Sequence, residues 1–179
     1  MTLAVTLPSD LYNSQPLVAL LDNAVLWWGL AACGFAQLSK LGIELVVHRR
    51  WRPAVLTETG GMPSSHSALI TGTAAGLGWE RGFEDPLFAL AASLCFIILY
   101  DASGVRFMAG RIAARVNALP IELWPTPPGD AVLPLKENLG HTRLEVLVGS
   151  LIGPAIALPG LVWLGSPLRL LLRLGAWPG

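Results

Sequence analysis

The chain has 179 residues with equal numbers of acidic and basic side chains, 53% hydrophobic residues and a mean hydropathy of +0.57. This composition excludes an ordinary soluble globule and indicates a membrane protein. Because the net charge is zero, no overall basic field favours a nucleic-acid partner.

Along the chain, residues 1–15 lack the basic segment and cleavage site of a signal peptide, so we expect the first membrane helix to stay in the mature protein. Four apolar segments follow, at residues 18–47, 67–79, 86–100 and 144–164. The second and third are shorter than the roughly 20 residues that cross a bilayer. A last piece, residues 167–174, predicts an interfacial helix or a helical extension. The sequence predicts an all-α, multi-pass membrane helix bundle in a single domain over residues 1–179.

Residues 101–143 are predicted to form a long re-entrant or cytoplasmic loop, in which the stretch 119–135 carries five prolines. Small residues four positions apart predict close contacts between helices. These pairs are Ala32 and Ala36, Gly72 and Gly76, and Gly149 and Gly153. Cys33 and Cys95 lie in apolar stretches and are read as reduced core residues.

The run Gly60–Ser67 combines two glycines, a proline, three serines and a histidine just before an apolar segment. Ser64 or Ser65 can cap the helix that follows, and a helix N-terminus attracts anions. The run predicts a phosphate cradle with His66 attached as an acid. Capped turns of this composition also occur without a ligand, so the run alone leaves both readings open.

A second histidine, His141, stands at the mouth of the fourth apolar segment. If this stretch is helical, Glu145 lies one turn away, where its carboxylate can hold one ring nitrogen and leave the other free to attack. An ionisable group at membrane depth is costly unless it is used or paired, which favours functional roles for His66 and His141. His48 sits beside two arginines at a helix boundary and receives no role.

Phosphoryl transfer through histidine needs a neutral imidazole, an orienting carboxylate, cationic and N–H donors, and an acid for the leaving group. The chain offers a candidate for each part. His141 would attack and Glu145 would orient it; Lys40, Arg50 and Arg106 would hold oxygens; the backbone at Ser64 and Ser65 would add N–H donors; His66 would be the acid.

Lys40, then Pro63–His66, then His141 with its carboxylate resemble the three signature motifs of the type 2 phosphatidic acid phosphatase superfamily, which includes vanadium haloperoxidases. More closely, Gly60–Ser67, Tyr100–Arg106 and Leu139–Val146 resemble its divergent branch of small bacterial and plastid membrane proteins. The resemblance covers residues 37–153.

The resemblance implies metal-independent hydrolysis of a phosphate ester, without a cofactor, with His141 as nucleophile and His66 as acid. The main superfamily has glycine in place of Ser65, aspartate in place of Glu145 and arginine in place of Leu135. Lys136 or Arg106 would then supply the missing charge. In the first motif, Arg50 and Arg52 are alternative candidates for the arginine that follows Lys40.

Three functions are compatible with these residues: a phosphatase acting on a lipid phosphate or prenyl diphosphate, a catalytically weak protein that binds phosphorylated lipid or scaffolds a membrane complex, and a vanadate-dependent oxidase. The third is disfavoured, because apolar helices favour substrates that arrive through lipid. Membrane lipids are expected partners, and a homo-oligomer stays open.

Threading the segments through a bilayer puts residues 48–65 and 101–143 on one side and the turn 80–85 on the other. The first side holds nine basic residues and the second side three. The nine are Lys40, Arg49, Arg50, Arg52, Arg106, Arg111, Arg115, Lys136 and Arg143, and the three are Arg81, Arg169 and Arg173. The positive-inside rule predicts that the histidine motifs face the cytoplasm or its organellar equivalent. Asp101 is expected to pair with Arg106.

Overall fold

The computed structural model of the protein describes residues 16–56, 60–120, 123 and 133–176. The expectations for residues 1–15 and for most of the proline-rich stretch lie outside the described residues. The helices are α1 (Pro16–Leu21), α2 (Ala24–Val47), α3 (Ser65–Arg81), α4 (Pro86–Tyr100), α5 (Arg106–Asn117), α6 (Arg143–Trp163) and α7 (Pro167–Arg173), with a 3₁₀ turn at Pro53–Leu56 and a π-helical turn at Asp101–Val105. Within these residues the all-α prediction is confirmed.

Polar side chains mark where the helices begin. Asn23 accepts a hydrogen bond from the Leu26 amide and caps α2. The predicted first apolar segment is therefore divided into two helices, α1 and α2. Asp85 caps α4 through the Leu87 amide, with a proline at the first helical position. Such residues replace the missing intrahelical acceptors of the first turn, so each apolar segment starts at a defined residue.

Helix α3 forms the centre of the bundle, where it packs against α2, α4 and α6, and α2 also packs against α6. The fully buried core residues Ala32, Ala36 and Ala68 lie at this junction. A Cβ atom on Gly153 would lie 2.5 Å from the Ala68 carbonyl oxygen, and one on Gly72 would lie 3.1 Å from the Gly153 oxygen. Backbone therefore meets backbone between α3 and α6, which confirms the predicted close contact at small residues.

Three of the described helical stretches are long and apolar enough to cross a membrane: Ala24–Val47, Pro86–Asn117 and Arg143–Arg173. Helix α3 has 17 residues and is shorter than a typical span. Its central position among α2, α4 and α6 shields much of its surface from lipid.

One expectation was wrong: residues 101–117, predicted as the start of a loop, are helical. The π-helical turn continues α4 directly into α5. The sequence of α5 is rich in alanine and arginine, which are good helix formers. Its arginines made the stretch too polar for a membrane segment, but they do not oppose a helix.

The two ends of the bundle carry different residues. At one end, a pocket of about 480 Å³ is bordered by residues from the end of α2, the Gly60–Gly61 turn, α5 and the start of α6. At the other end, Asp22, Glu80 and Arg81 border a separate pocket. The two histidine motifs thus lie at the same end, as the threading predicted.

Candidate active site

A pocket of about 180 Å³ lies at that end, between the start of α3, the end of α4, the π-helical turn, the start of α5 and the loop before α6. It is lined by Ser64, His66, Ile98, Asp101, Ala102, Arg106, Gly140 and His141. Pockets for drug-sized ligands span roughly 300–1,000 Å³. The smaller volume suits a group the size of phosphate, and both predicted histidines border it.

The imidazole of His141 is buried, and the residue is only 4% exposed. Its Nδ1 atom lies 2.9 Å from the Gly140 carbonyl oxygen. Because a carbonyl oxygen can only accept, a hydrogen bond at this distance requires the proton on Nδ1, and a neutral ring then has its lone pair on Nε2. Among the described residues, Nε2 is buried and has no hydrogen-bond partner. A buried lone pair on a residue that borders a phosphate-sized pocket is suited to nucleophilic attack.

The loop before α6 is held in place by the π-helical turn. The His141 amide donates to the Ala102 carbonyl at 2.9 Å. Gly140 has φ +76°. A Cβ atom there would lie 2.7 Å from the carbonyl carbon of Arg106 and closer still to the Phe107 nitrogen. Two features require glycine at position 140: the left-handed backbone conformation and the close approach of the Arg106–Phe107 backbone.

The Glu145 carboxylate approaches His141 only at long range, with 3.9 Å between Oε2 and Nδ1. Its carboxylate accepts the Thr142 amide at 3.0 Å, and the Thr142 hydroxyl accepts the Glu145 amide at 3.3 Å. This reciprocal pair is a capping box at the start of α6. We expected the Glu145 carboxylate to accept a hydrogen bond from Nδ1 of His141. The atom within hydrogen-bond distance of Nδ1 is instead the Gly140 carbonyl oxygen.

The start of α3 supplies the opposite wall. Ser64 is fully buried, and its Oγ accepts from the Ser67 amide at 3.3 Å and from the Ser67 hydroxyl at 2.9 Å. The Ser64 amide donates to the Glu145 carbonyl at 3.1 Å, which ties the starts of α3 and α6 together. Ser65, also buried, is the first residue of α3. The first-turn amides of this helix carry partial positive charge beside the pocket.

Two of the predicted cations influence the pocket. Arg106 lines it and forms an ion pair with Asp101, as expected. Lys40 is buried in α2, where it is 3% exposed. Burial lowers the pKa of the His141 imidazole below its usual 6.5, Glu145 opposes this shift, and the positive charges of Lys40, His66 and Arg106 add to it. The environment therefore favours the neutral form of His141, which is the form that a histidine nucleophile needs.

Arg50 and Lys136 are exposed and lie outside the lining of this pocket. Arg52, the rival of Arg50, borders the neighbouring 480 Å³ pocket together with Arg111. Phosphate contacts from Arg50 and Lys136 stay a prediction. In the described part of the chain, no cluster of three or more His, Cys, Asp or Glu side chains could hold a metal ion.

Residue types alone do not predict contributors that act through their backbone, namely the carbonyls of Gly140 and Ala102. Nor do they predict Ile98, which belongs to an apolar run without a distinguishing pattern. One signal was available: Thr142-x-x-Glu145 before an apolar segment is the sequence signature of a capping box.

Comparison with known proteins agrees with this architecture. A family model described as the divergent PAP2 family matches residues 21–156. The "Uncharacterized membrane protein YuiD" of Bacillus subtilis (strain 168) is 39% identical over 149 residues, which cover 78% of this chain and 94% of YuiD. No solved structure matches the chain. With three apolar helices of spanning length and a match over most of its length, the chain is a membrane protein that belongs to the divergent PAP2 family.

Proposed function

We propose that this protein is a metal-independent membrane phosphatase that hydrolyses a lipid phosphate or a prenyl diphosphate through a phosphohistidine intermediate. One observation carries the proposal: the buried, unpartnered Nε2 of His141 belongs to a residue that borders the same phosphate-sized pocket as His66, Arg106 and the start of α3. The name of the matching family supports the same chemistry.

The reaction proceeds in two displacements. Nε2 of His141 attacks phosphorus, a P–N bond forms, and the P–O bond to the leaving group breaks while protonated His66 donates its proton to the leaving oxygen. Neutral His66 then takes a proton from a water molecule, whose oxygen attacks phosphorus and releases inorganic phosphate and free His141. Arg106, Lys40 and the first-turn amides of α3 stabilise the negative charge on the equatorial oxygens.

A lipid substrate is favoured by the pocket's position. Ile98 of membrane helix α4 borders the pocket, so the phosphate site adjoins an apolar surface. The excess of Lys and Arg at this end of the bundle supports a cytoplasmic orientation of the site.

The test is trapping of the intermediate in purified, detergent-solubilised protein. We expect radiolabelled phosphate from a labelled lipid phosphate or prenyl diphosphate to appear on histidine in an acid-labile, alkali-stable form with EDTA present. His141→Ala should abolish both labelling and turnover. His48→Ala is the matched control, because this third histidine pairs with Glu44 outside the pocket and should leave both unchanged.

Turnover by His141→Ala at the wild-type rate, or an absolute requirement for Mg²⁺, would contradict the mechanism. A wild-type protein that binds but does not hydrolyse any phosphorylated lipid in the panel would instead identify a lipid-binding protein.

A further inference from the structure

The orientation of the His141 ring depends on a main-chain carbonyl in this structure, whereas a carboxylate was expected. The Gly140 oxygen lies 2.9 Å from Nδ1, and the nearest Glu145 oxygen lies 3.9 Å away. The first distance is that of a hydrogen bond, and the second is too long for one.

The Gly140 carbonyl is itself held firmly. The amide of the next residue donates to Ala102 in the π-helical turn, and the Gly140 Cα packs against the Arg106–Phe107 backbone with no room for a side chain. An acceptor fixed at both sides by backbone contacts is pre-organised for one ring orientation.

The Glu145 carboxylate, in contrast, is hydrogen-bonded at the start of α6. Its Oε2 atom accepts the Thr142 amide in the capping box, and the residue borders the 480 Å³ pocket and not the phosphate-sized pocket. A capping box accepts glutamine as well as glutamate at this position, because only an acceptor oxygen is needed.

We propose that the Gly140 carbonyl, buttressed by the π-helical turn, sets the tautomer and orientation of His141, and that Glu145 is a positioning residue that acts through the capping box of α6. The inference rests on the proposed function for its catalytic meaning. The predicted Nδ1–H tautomer of His141 can be measured whether or not the protein has phosphatase activity.

Two substitutions separate the carbonyl from the carboxylate. Glu145→Gln keeps the cap and removes the charge, so we expect turnover within about threefold of wild type. Thr142→Ala keeps the charge and breaks the cap, so we expect a loss on the order of tenfold or more as the start of α6 shifts. A carboxylate-oriented histidine predicts the reverse order, with a loss for Glu145→Gln approaching the roughly 10⁴-fold that loss of an orienting carboxylate causes in a Ser-His-Asp protease.

The direct measurement is ¹⁵N NMR of histidine-labelled protein in detergent at neutral or higher pH. The chain has three histidines, and the His141 signals are assigned by their absence in His141→Ala. We expect a protonated Nδ1 and an unprotonated Nε2 in both wild type and Glu145→Gln. A protonated Nε2 in wild type, or a change of tautomer in Glu145→Gln, would overturn the inference. These spectra need no substrate. An absence of phosphatase activity would therefore refute the proposed function, and the tautomer of His141 could still be tested.

Discussion

The contact between α3 and α6 at the pocket leaves no room for a side chain on Gly149. A Cβ atom there would overlap the Ser64 carbonyl oxygen and lie 3.1 Å from the Ser67 Cβ. Ordinary contacts between such atoms are about 3.5 Å, so in Gly149→Ala the starts of the two helices must separate by on the order of 1 Å. That movement would draw Ser64 and His66 away from His141.

We expect two measurable effects of Gly149→Ala. Overpacking at a backbone contact costs about 1–3 kcal/mol, which lowers the unfolding temperature in detergent. A 1 Å misplacement of a catalytic group costs about 100-fold in rate, measured as hydrolysis of an activated aryl phosphate by purified protein.

Gly34→Ala is the matched control, since it makes the same chemical change in a helix where a Cβ atom would meet nothing within 4 Å. Its unfolding temperature and turnover should equal or exceed those of wild type, because alanine is the better helix former. A Gly149→Ala variant as stable and as active as Gly34→Ala would show that this contact does not set the separation of the two histidines.

Three further outcomes are expected. The lowered pKa of His141 keeps its imidazole neutral to lower pH, so kcat/KM should fall only below about pH 6.5 on the acid side; an acid limb centred above pH 7 would contradict this. His66→Ala should slow hydrolysis of alkyl phosphates much more than that of an aryl phosphate with a good leaving group, because the latter needs no proton; equal losses would exclude His66 as the acid. A single cysteine at Lys136 should be labelled by an impermeant reagent only after cells are opened, whereas one at Glu84 should be labelled in intact cells; the opposite pattern would reverse the proposed orientation.

Residue type and spacing predicted the helices and their contacts well, because apolar length, glycine spacing and capping residues act locally. The bounds of α4 and α6 differ from the predicted segments by at most a residue at each end. The stretch 101–117 was wrongly predicted as a loop, because charged residues indicate that a segment lies outside the membrane but do not indicate whether it is helix or loop.

The meeting of Ser64, His66, Arg106 and His141 at one pocket follows the motif analysis, because each lies at or beside a helix end on the same side of the bundle. The acceptor for Nδ1 could not be predicted in this way. Every residue has a carbonyl, and only the backbone path through Gly140 and Ala102 decides which one faces the ring.

Under the proposed function, the position of Ile98 on the pocket wall affects how a kinetic constant of this protein should be expressed. A lipid reaching a site that adjoins α4 is drawn from a two-dimensional pool, so its abundance relative to other amphiphiles matters more than its amount per litre of solution. Adding detergent at constant total lipid dilutes that pool and should lower the velocity, although the bulk concentration is unchanged. Substrate preferences compared at equal mole fraction in the micelle or bilayer will therefore report on recognition at the pocket, and those compared at equal molarity will also report on partitioning.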